Sequence, residues 1–219
     1  MRRHTALRVK RLVDVVGAGV GLLLLSPVLA CAAAAVWLGM GRPIFFVHVR
    51  PGHRGRLFAM PKLRTMRPPA PGEAWLRTDE QRLTPIGRFL RRTSIDELPQ
   101  LWAVLRGDMS LVGPRPLLVD YLARYTPEQA RRHDMKPGVT GWAQVNGRRG
   151  VTFSRRLALD VWYVQHFSLG LDARILAMTV REVLRGGGTS SKRLEEVDDL
   201  GLLANGGSRR GEDGVAQGG

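Results

Sequence analysis

The most strongly patterned part of the chain is its N-terminal fifth. Over residues 15–41 no side chain carries a charge, and the flank before them is basic, with Arg2, Arg3, Arg8, Lys10 and Arg11. A signal peptide shares the basic start, but its apolar core runs about 7–15 residues. This run is longer and has no clear small-residue cleavage site. A straight helix over it would measure roughly 40 Å, enough to cross a hydrocarbon layer of about 30 Å. Ser26-Pro27 falls in the middle. Proline has no N–H to give and clashes with the preceding turn, so it kinks or breaks a helix, and the Ser26 hydroxyl is placed to take up a freed carbonyl. Each arm is then roughly 18–21 Å long, too short to cross. Arginines also follow the segment, at Arg42, Arg50, Arg54 and Arg56, which asks for both ends on the cytoplasmic side. Two courses stay open: a kinked spanning helix, and a hairpin that enters, bends at Pro27 and leaves by the same face. Asp14 reads as a first-turn acid favoured by the helix dipole, with Arg11 as partner.

Beyond the apolar segment the periods shorten. Residues 44–50 (IFFVHVR) predict a strand, Pro51-Gly52 and Arg54-Gly55 a turn, and residues 57–60 a returning strand. Residues 68–80 predict a loop. Thr84-Pro85 supplies an N-cap and an N1 proline. In the helix that follows, Ile86, Phe89 and Leu90 share a face flanked by Arg88, Arg91 and Arg92. That pattern fits a membrane-interface helix or a core helix with a solvated basic side. Ser94 with Glu97 fits a capping box; with Asp96 as the cap, Pro99 falls where its missing N–H costs nothing. Either way Asp96 and Glu97 stand at a helix N-terminus. Leu98, Leu101, Trp102 and Leu105 form its apolar side, and Gly107 ends it. Gly113-Pro114-Arg115-Pro116 is a stiff loop that fixes where one arginine points. Thr126 to Gln129 opens another helix with a capping box, and Lys136-Pro137-Gly138 stops it. Residues 141–149 (GWAQVNGRR) predict an extended piece and a turn. Residues 154–166 and 171–184 predict amphipathic helices, and residues 186–219 a disordered Gly-rich tail.

Charge narrows the choice of partner. The chain has 219 residues, with 34 basic against 19 acidic and a net charge of +15. Only Lys10, Lys62, Lys136 and Lys192 are lysines; the other basic residues are arginines, whose planar fork suits phosphate. A single cysteine, Cys31, excludes a disulfide framework and a cysteine-rich zinc site. The anionic partner could be nucleic acid, a phospholipid face or a phosphorylated substrate. The apolar segment argues for the last two. Trp37, Trp75, Trp102, Trp142 and Trp162 are too scattered for a base-stacking platform, so nucleic acid is not expected.

Asp96-Glu97 is the main candidate for chemistry. Helical neighbours point about 100° apart, so the two cannot share a proton but can take separate roles. The plainer alternative is capping, worth about 0.5–2 kcal/mol. Lys62, Arg64, Arg88, Arg91, Arg115 and Arg148 could surround a polyphosphate, although each alone could equally be a solvated face. Phosphoryl transfer is mostly positioning and charge neutralisation, so a carboxylate nucleophile among cations, with Mg²⁺, is a coherent set. His133 and His166 have no partner at metal spacing and read as structural. There is no P-loop, G-x-G-x-x-G or H-E-x-x-H.

Several longer runs point further. They are Lys10-Arg11-Leu12-Val13-Asp14, the Ser26-Pro27 break, Lys62-Leu63-Arg64-Thr65-Met66 and residues 93–100 (TSIDELPQ). Gly113-Pro114-Arg115-Pro116, residues 136–148 (KPGVTGWAQVNGR) and Asp160-Val161-Trp162-Tyr163 follow in that order. Together they resemble bacterial sugar transferases, the monotopic polyprenyl-phosphate phosphoglycosyl transferases in their short catalytic form, over about residues 8–185. Leu63 stands where phenylalanine is common. The resemblance implies an α+β, mainly α, monotopic membrane protein, with an N-terminal re-entrant helix-break-helix bent at Ser26 and Pro27, a small β-hairpin and amphipathic interfacial helices. Its parts would be a basic flank (1–11), the re-entrant helix (12–41), a cytosolic catalytic domain (42–185) and the tail (186–219). It implies transfer of a sugar-1-phosphate from a UDP-sugar to undecaprenyl phosphate, with release of UMP, at the cytoplasmic face of the bacterial inner membrane. Asp96 would be the covalent nucleophile and hold Mg²⁺, and Glu97 would help deprotonate or place the lipid phosphate. Lys62, Arg91, Arg115 and Arg148 match positions near the phosphates; Arg64, Gln144 and Asn146 complete the substrate-binding candidates. Membrane lipid and downstream glycosyltransferases are the implied partners.

Overall fold

The computed structural model describes residues 3–68, 79–147 and 152–185. It is mainly helical, with two small sheets of two strands each, which agrees with the α+β expectation.

Helix α1 runs from Arg3 to Met40 with Pro27 inside it. It begins well before residue 12, and it continues through Pro27, where a helix-break-helix was expected. The reason is local. Pro27 cannot donate to the carbonyl of Leu23, and the Ser26 hydroxyl donates to that same carbonyl at 2.8 Å. The carbonyl is satisfied and the helix continues. The N-terminal arm buries Lys10, Asp14 and Ala18, and the C-terminal arm buries Ala32 and Val36. Between them Leu23 and Leu24 are 75% and 70% exposed. Glycines let the helix approach its neighbours closely: a Cβ at Gly39 would lie 2.4 Å from the Ile86 side chain.

Strands β1 (Phe45–Pro51) and β2 (Leu57–Leu63) pair antiparallel, with Phe46 opposite Lys62 and His48 opposite Met60. Alternation places Phe46, His48, Met60 and Lys62 on one face. After the short helix α2 (Asp79–Arg82), helix α3 (Pro85–Thr93) starts where its cap and proline predict, with the Thr84 hydroxyl accepting from Gly87 N–H. Ile86 and Leu90 pack with Leu63, Ala32 and Val36, whereas Phe89 is exposed.

The carboxylate pair does not cap a long helix. Ser94 closes α3 in the left-handed region (φ 58°), and residues Ile95–Glu97 form a separate 3₁₀ turn before α4 (Gln100–Arg106). Ser94 makes no side-chain cap, and Pro99 precedes α4, where its lack of an N–H is harmless. Gly107 (φ 93°) ends α4 as expected. Its buried residues are Gln100, Leu101, Ala103 and Val104; Trp102 faces outward.

Strands β3 (Ser110–Val112) and β4 (Gly138–Thr140) pair in parallel. Between them lie the proline-flanked Arg115 loop, a 3₁₀ segment at Val119–Arg124, helix α5 (Pro127–Ala130) with its capping box, and a 3₁₀ turn at Arg131–Asp134. The residues after β4 are not extended: α6 (Trp142–Asn146) forms there, its apolar side joining the cluster of Met135, Tyr163 and Ile175. Helices α7 (Phe153–Gln165) and α8 (Leu169–Leu184) match their expected spans within two residues. Asp14 is not a dipole partner. It is buried and accepts from the Ser110 hydroxyl and Leu111 N–H, both at 2.9 Å. Most of the expected loop at 68–80, with Trp75, and the tail at 186–219 lie outside the described residues.

Candidate active site

Glu97 is the centre of a dense charge cluster. Lys62 on β2 donates to its Oε1 at 2.6 Å. Arg115 approaches with both arms, donating to Oε1 at 2.5 Å and to Oε2 at 3.2 Å. This two-pronged geometry is the strong form of the arginine–carboxylate pair. Strand alternation aims Lys62 inward, and the prolines at 114 and 116 stiffen the backbone that carries Arg115. Burial alone would raise the Glu97 carboxyl, but Arg115 and Lys62 outweigh it and hold the group well below the usual range. Burial in turn lowers the Lys62 ammonium, helped by Arg115 and opposed by Glu97.

Asp96, one residue earlier on the tight turn, has the opposite environment. It is 6% exposed, and its Oδ1 is buried without a hydrogen-bond partner. Burial first, and then the charge of Glu97, push its carboxyl up to about 6, against the pull of Lys62, Arg91 and Arg115. Two adjacent carboxylates thus separate in acidity, which is how one site obtains two roles from one functional group. Arg91 comes from α3, where its Nε donates to Thr65 Oγ1 at 3.0 Å.

His48 stands close enough to Lys62 and Arg91 to feel their charge, a neighbour of the cluster that sequence reasoning missed. It shares the inner face of the hairpin with Lys62, and an Arg50 nitrogen lies 3.2 Å from its Nδ1. Burial, Arg50, Lys62 and Arg91 lower it to about 3, so the ring is neutral. The signal was available, because positions 46, 48 and 50 alternate onto the face that carries Lys62.

Other candidates lie elsewhere. The Arg64 guanidinium donates to the carbonyls of Met40, Gly41 and Arg42, and so closes the C-terminal end of α1. Gln144 donates to Val139 O, and Asn146 to Trp142 O, each at 3.0 Å; neither bonds to the carboxylate pair. Arg148 lies outside the described residues. His133 Nδ1 donates to Gly52 O, and His166 Nδ1 donates to Trp162 O, both structural contacts.

Among the described residues no group of three or more His, Cys, Asp or Glu side chains could hold a metal. The donor set therefore does not form an all-protein cage. The unpartnered Oδ1 of Asp96 is an oxygen donor of the kind Mg²⁺ prefers.

The family model for bacterial sugar transferases matches residues 5–186. The chain belongs to that family. It is 52% identical over 175 residues to the uncharacterized sugar transferase EpsL of Bacillus subtilis, covering 80% of this chain and 87% of that protein. It is 45% identical to the UDP-glucose:undecaprenyl-phosphate glucose-1-phosphate transferase of Caulobacter vibrioides, covering 80% and 69% of the two chains. The Escherichia coli protein of the same name is 41% identical, and there the match spans 78% of this chain but 39% of the longer relative.

Proposed function

We propose that this chain is a phosphoglycosyl transferase that moves a sugar-1-phosphate from a UDP-sugar to undecaprenyl phosphate and releases UMP. The observation that carries the reading is the buried, unpartnered Oδ1 of Asp96 beside a Glu97 saturated by Lys62 and Arg115. An Asp96 carboxylate oxygen attacks the phosphorus attached to the sugar. A P–O bond forms, the bond to the UMP oxygen breaks, and the sugar phosphate is left on Asp96. A phosphate oxygen of the lipid then attacks the same phosphorus, and the aspartate leaves with its bonding electrons. Near neutral pH a carboxyl of about 6 is mostly ionised, so the nucleophile is ready.

Glu97 is better suited to placing than to proton removal, since a carboxylate held so far below its usual range is a weak base. Its work is to fix the Lys62 ammonium and the Arg115 guanidinium, with Arg91 nearby, as a cationic cradle for the diphosphate. Mg²⁺, held by Asp96 and the substrate's phosphates, would supply further charge neutralisation.

The reading extends to the membrane. Helix α1 is long and apolar enough to cross one, yet both its ends are tied to the same body. Lys10 and Arg11 bond to Asp172, Val112, Val104 and Leu105, and Arg64 bonds to the last carbonyls of the helix. A helix anchored at both ends to one catalytic body does not place those ends on opposite sides. This supports a re-entrant course in the inner membrane, with the catalytic residues at the cytoplasmic headgroup plane. The product, a lipid-linked diphosphate sugar, is a starting point for exopolysaccharide, capsule, O-antigen or glycoprotein glycans, and a downstream glycosyltransferase would extend it. Membranes bearing the full chain should release UMP from a UDP-sugar plus undecaprenyl phosphate. Asp96→Asn should abolish that release, and undiminished release would refute the assignment.

A further inference from the structure

Arg132 and Asp160 form an ion pair that the steps above do not use. They are 2% and 1% exposed. Arg132 Nε and NH2 donate to Asp160 Oδ2 at 3.1 and 2.6 Å, and NH1 donates to the Tyr125 hydroxyl at 3.3 Å. The same NH2 also donates to the main-chain carbonyl of Arg115 at 2.5 Å. A buried ion pair is a poor source of net stability, because desolvation offsets much of the attraction and apolar side chains of similar size often do as well. Apolar side chains would not supply a directed donor to that carbonyl.

The carbonyl matters because of its place in the loop. Upstream, the backbone is fixed: Gly113 N–H donates to Thr140 O at 2.9 Å, and Gly138 N–H donates to Pro114 O at 3.0 Å. Gly113 lies so close to the next segment that a Cβ there would sit 2.3 Å from Lys136 O. Downstream, the peptide after Arg115 belongs to Pro116 and has no N–H with which to anchor itself. We propose that Arg132, oriented by Asp160, is a positioning residue for Arg115: it pins the Arg115 carbonyl so that the guanidinium of the same residue meets Glu97 with both arms. Asp160 reaches the pair from the buried face of α7, which it shares with Phe153, Leu157 and Val164. The C-terminal helical region thus sets the aim of a side chain in the charge cluster.

The inference rests on the transferase reading for its assay, so the experiment separates the two. UMP release by the full chain in membranes is measured at saturating undecaprenyl phosphate, with varied UDP-sugar. The variants are Arg132→Lys, Arg115→Lys and the double variant, with wild type and Asp96→Asn alongside. Lysine keeps the charge but is shorter and lacks the planar fork that divides Nε, NH1 and NH2 among Asp160, the Tyr125 hydroxyl and the carbonyl. Arg132→Lys should lower kcat on the order of 10–100-fold, as small misplacements of reacting groups do, with KM for UDP-sugar changing less than about threefold. The double variant should fall no lower than Arg115→Lys alone, because the two act through one contact. Losses that multiply, or full kcat in Arg132→Lys, would overturn the proposal. If Arg132→Lys does not fold, judged by thermal unfolding, Asp160→Asn replaces it in the same cycle. Failure of both to fold would also overturn the proposal, since the pair would then hold the fold rather than the arginine. A wild type that releases no UMP would sink the transferase reading itself, whereas an active wild type with multiplying losses sinks only this inference.

Discussion

Lys10 on α1 and Asp172 on α8 meet at 2.6 Å, although 162 residues separate them in the chain. Lys10 also donates to Val112 O at 2.9 Å, and the Tyr163 hydroxyl donates to the other oxygen of Asp172 at 2.7 Å. The pair therefore joins α1 to β3, α7 and α8 at one buried point, and β3 leads directly into the loop that carries Arg115.

Replacing one partner of that pair should be costly. Lys10→Met leaves Asp172 buried with only the tyrosine, and breaking a buried pair costs about 3–5 kcal/mol. The double variant Lys10→Met with Asp172→Leu should recover most of the loss. Thermal unfolding of the purified full chain in detergent measures both. Equal destabilisation by the single and double variants would count against the pair as the joint.

The course of α1 can be tested by labelling. In a Cys31→Ser background, single cysteines at Thr5 and Arg54, both exposed, should react with an impermeant thiol reagent only when the cytoplasmic face is open to it. Pro27→Ala gives residue 27 an N–H to donate to the Leu23 carbonyl and removes the proline clash. It should favour a straight span, bringing the two labels to opposite faces in a measurable fraction of molecules. Opposite faces in the wild type would refute the re-entrant course.

Acidity gives a third outcome. Asp96 must be ionised to attack, and its carboxyl stands at about 6. kcat/KM, which reports the free enzyme, should therefore fall about tenfold per pH unit below 6 and level off above it. The effect on stability runs the other way. The folded-state value lies above the ordinary 3.8, so this group's contribution is full below about 4 and is lost as pH rises through about 6. Glu97, held low, contributes most above its ordinary range and loses that contribution in acid. A flat kcat/KM from pH 5 to 7 would contradict the raised Asp96 carboxyl.

Removing the charge of Glu97 tests the cradle. Glu97→Gln leaves Lys62 and Arg115 facing a neutral amide that cannot accept both arms as a carboxylate does. UMP release should drop on the order of 10²–10³-fold, as for lost electrostatic preorganisation. Because Glu97 is not the base but its charge helps raise Asp96, the acid limb of kcat/KM should persist in this variant, displaced to lower pH. A limb displaced to higher pH would contradict that coupling.

Local patterns made part of this molecule legible. The hairpin followed from alternation around Pro51-Gly52, α3 from Thr84-Pro85, and the end of α4 from Gly107, because each depends on residues within a few positions of one another. The opposite acidities of Asp96 and Glu97 were not legible, since they depend on Lys62 and Arg115, which lie 35 and 18 residues from Glu97. The same holds for the buried polar joints. Asp14 looks like a helix-end acid until Ser110, 96 residues away, is placed against it. Lys62 and Arg64 look alike as cations, but the strand ends between them, and Arg64 turns to the end of α1. Helix α6 was hidden because it is five residues long and its apolar side is defined only by its packing against α7 and α8.

The central claim is that the sugar phosphate rests on one carboxylate before it reaches the lipid. Full-length protein incubated with UDP-sugar and Mg²⁺, without undecaprenyl phosphate, then quenched in acid and digested, should yield a peptide carrying one sugar phosphate on Asp96. The mass shift should vanish in Asp96→Asn. An adduct on another side chain, or stoichiometric UMP release with no adduct at all, would contradict it.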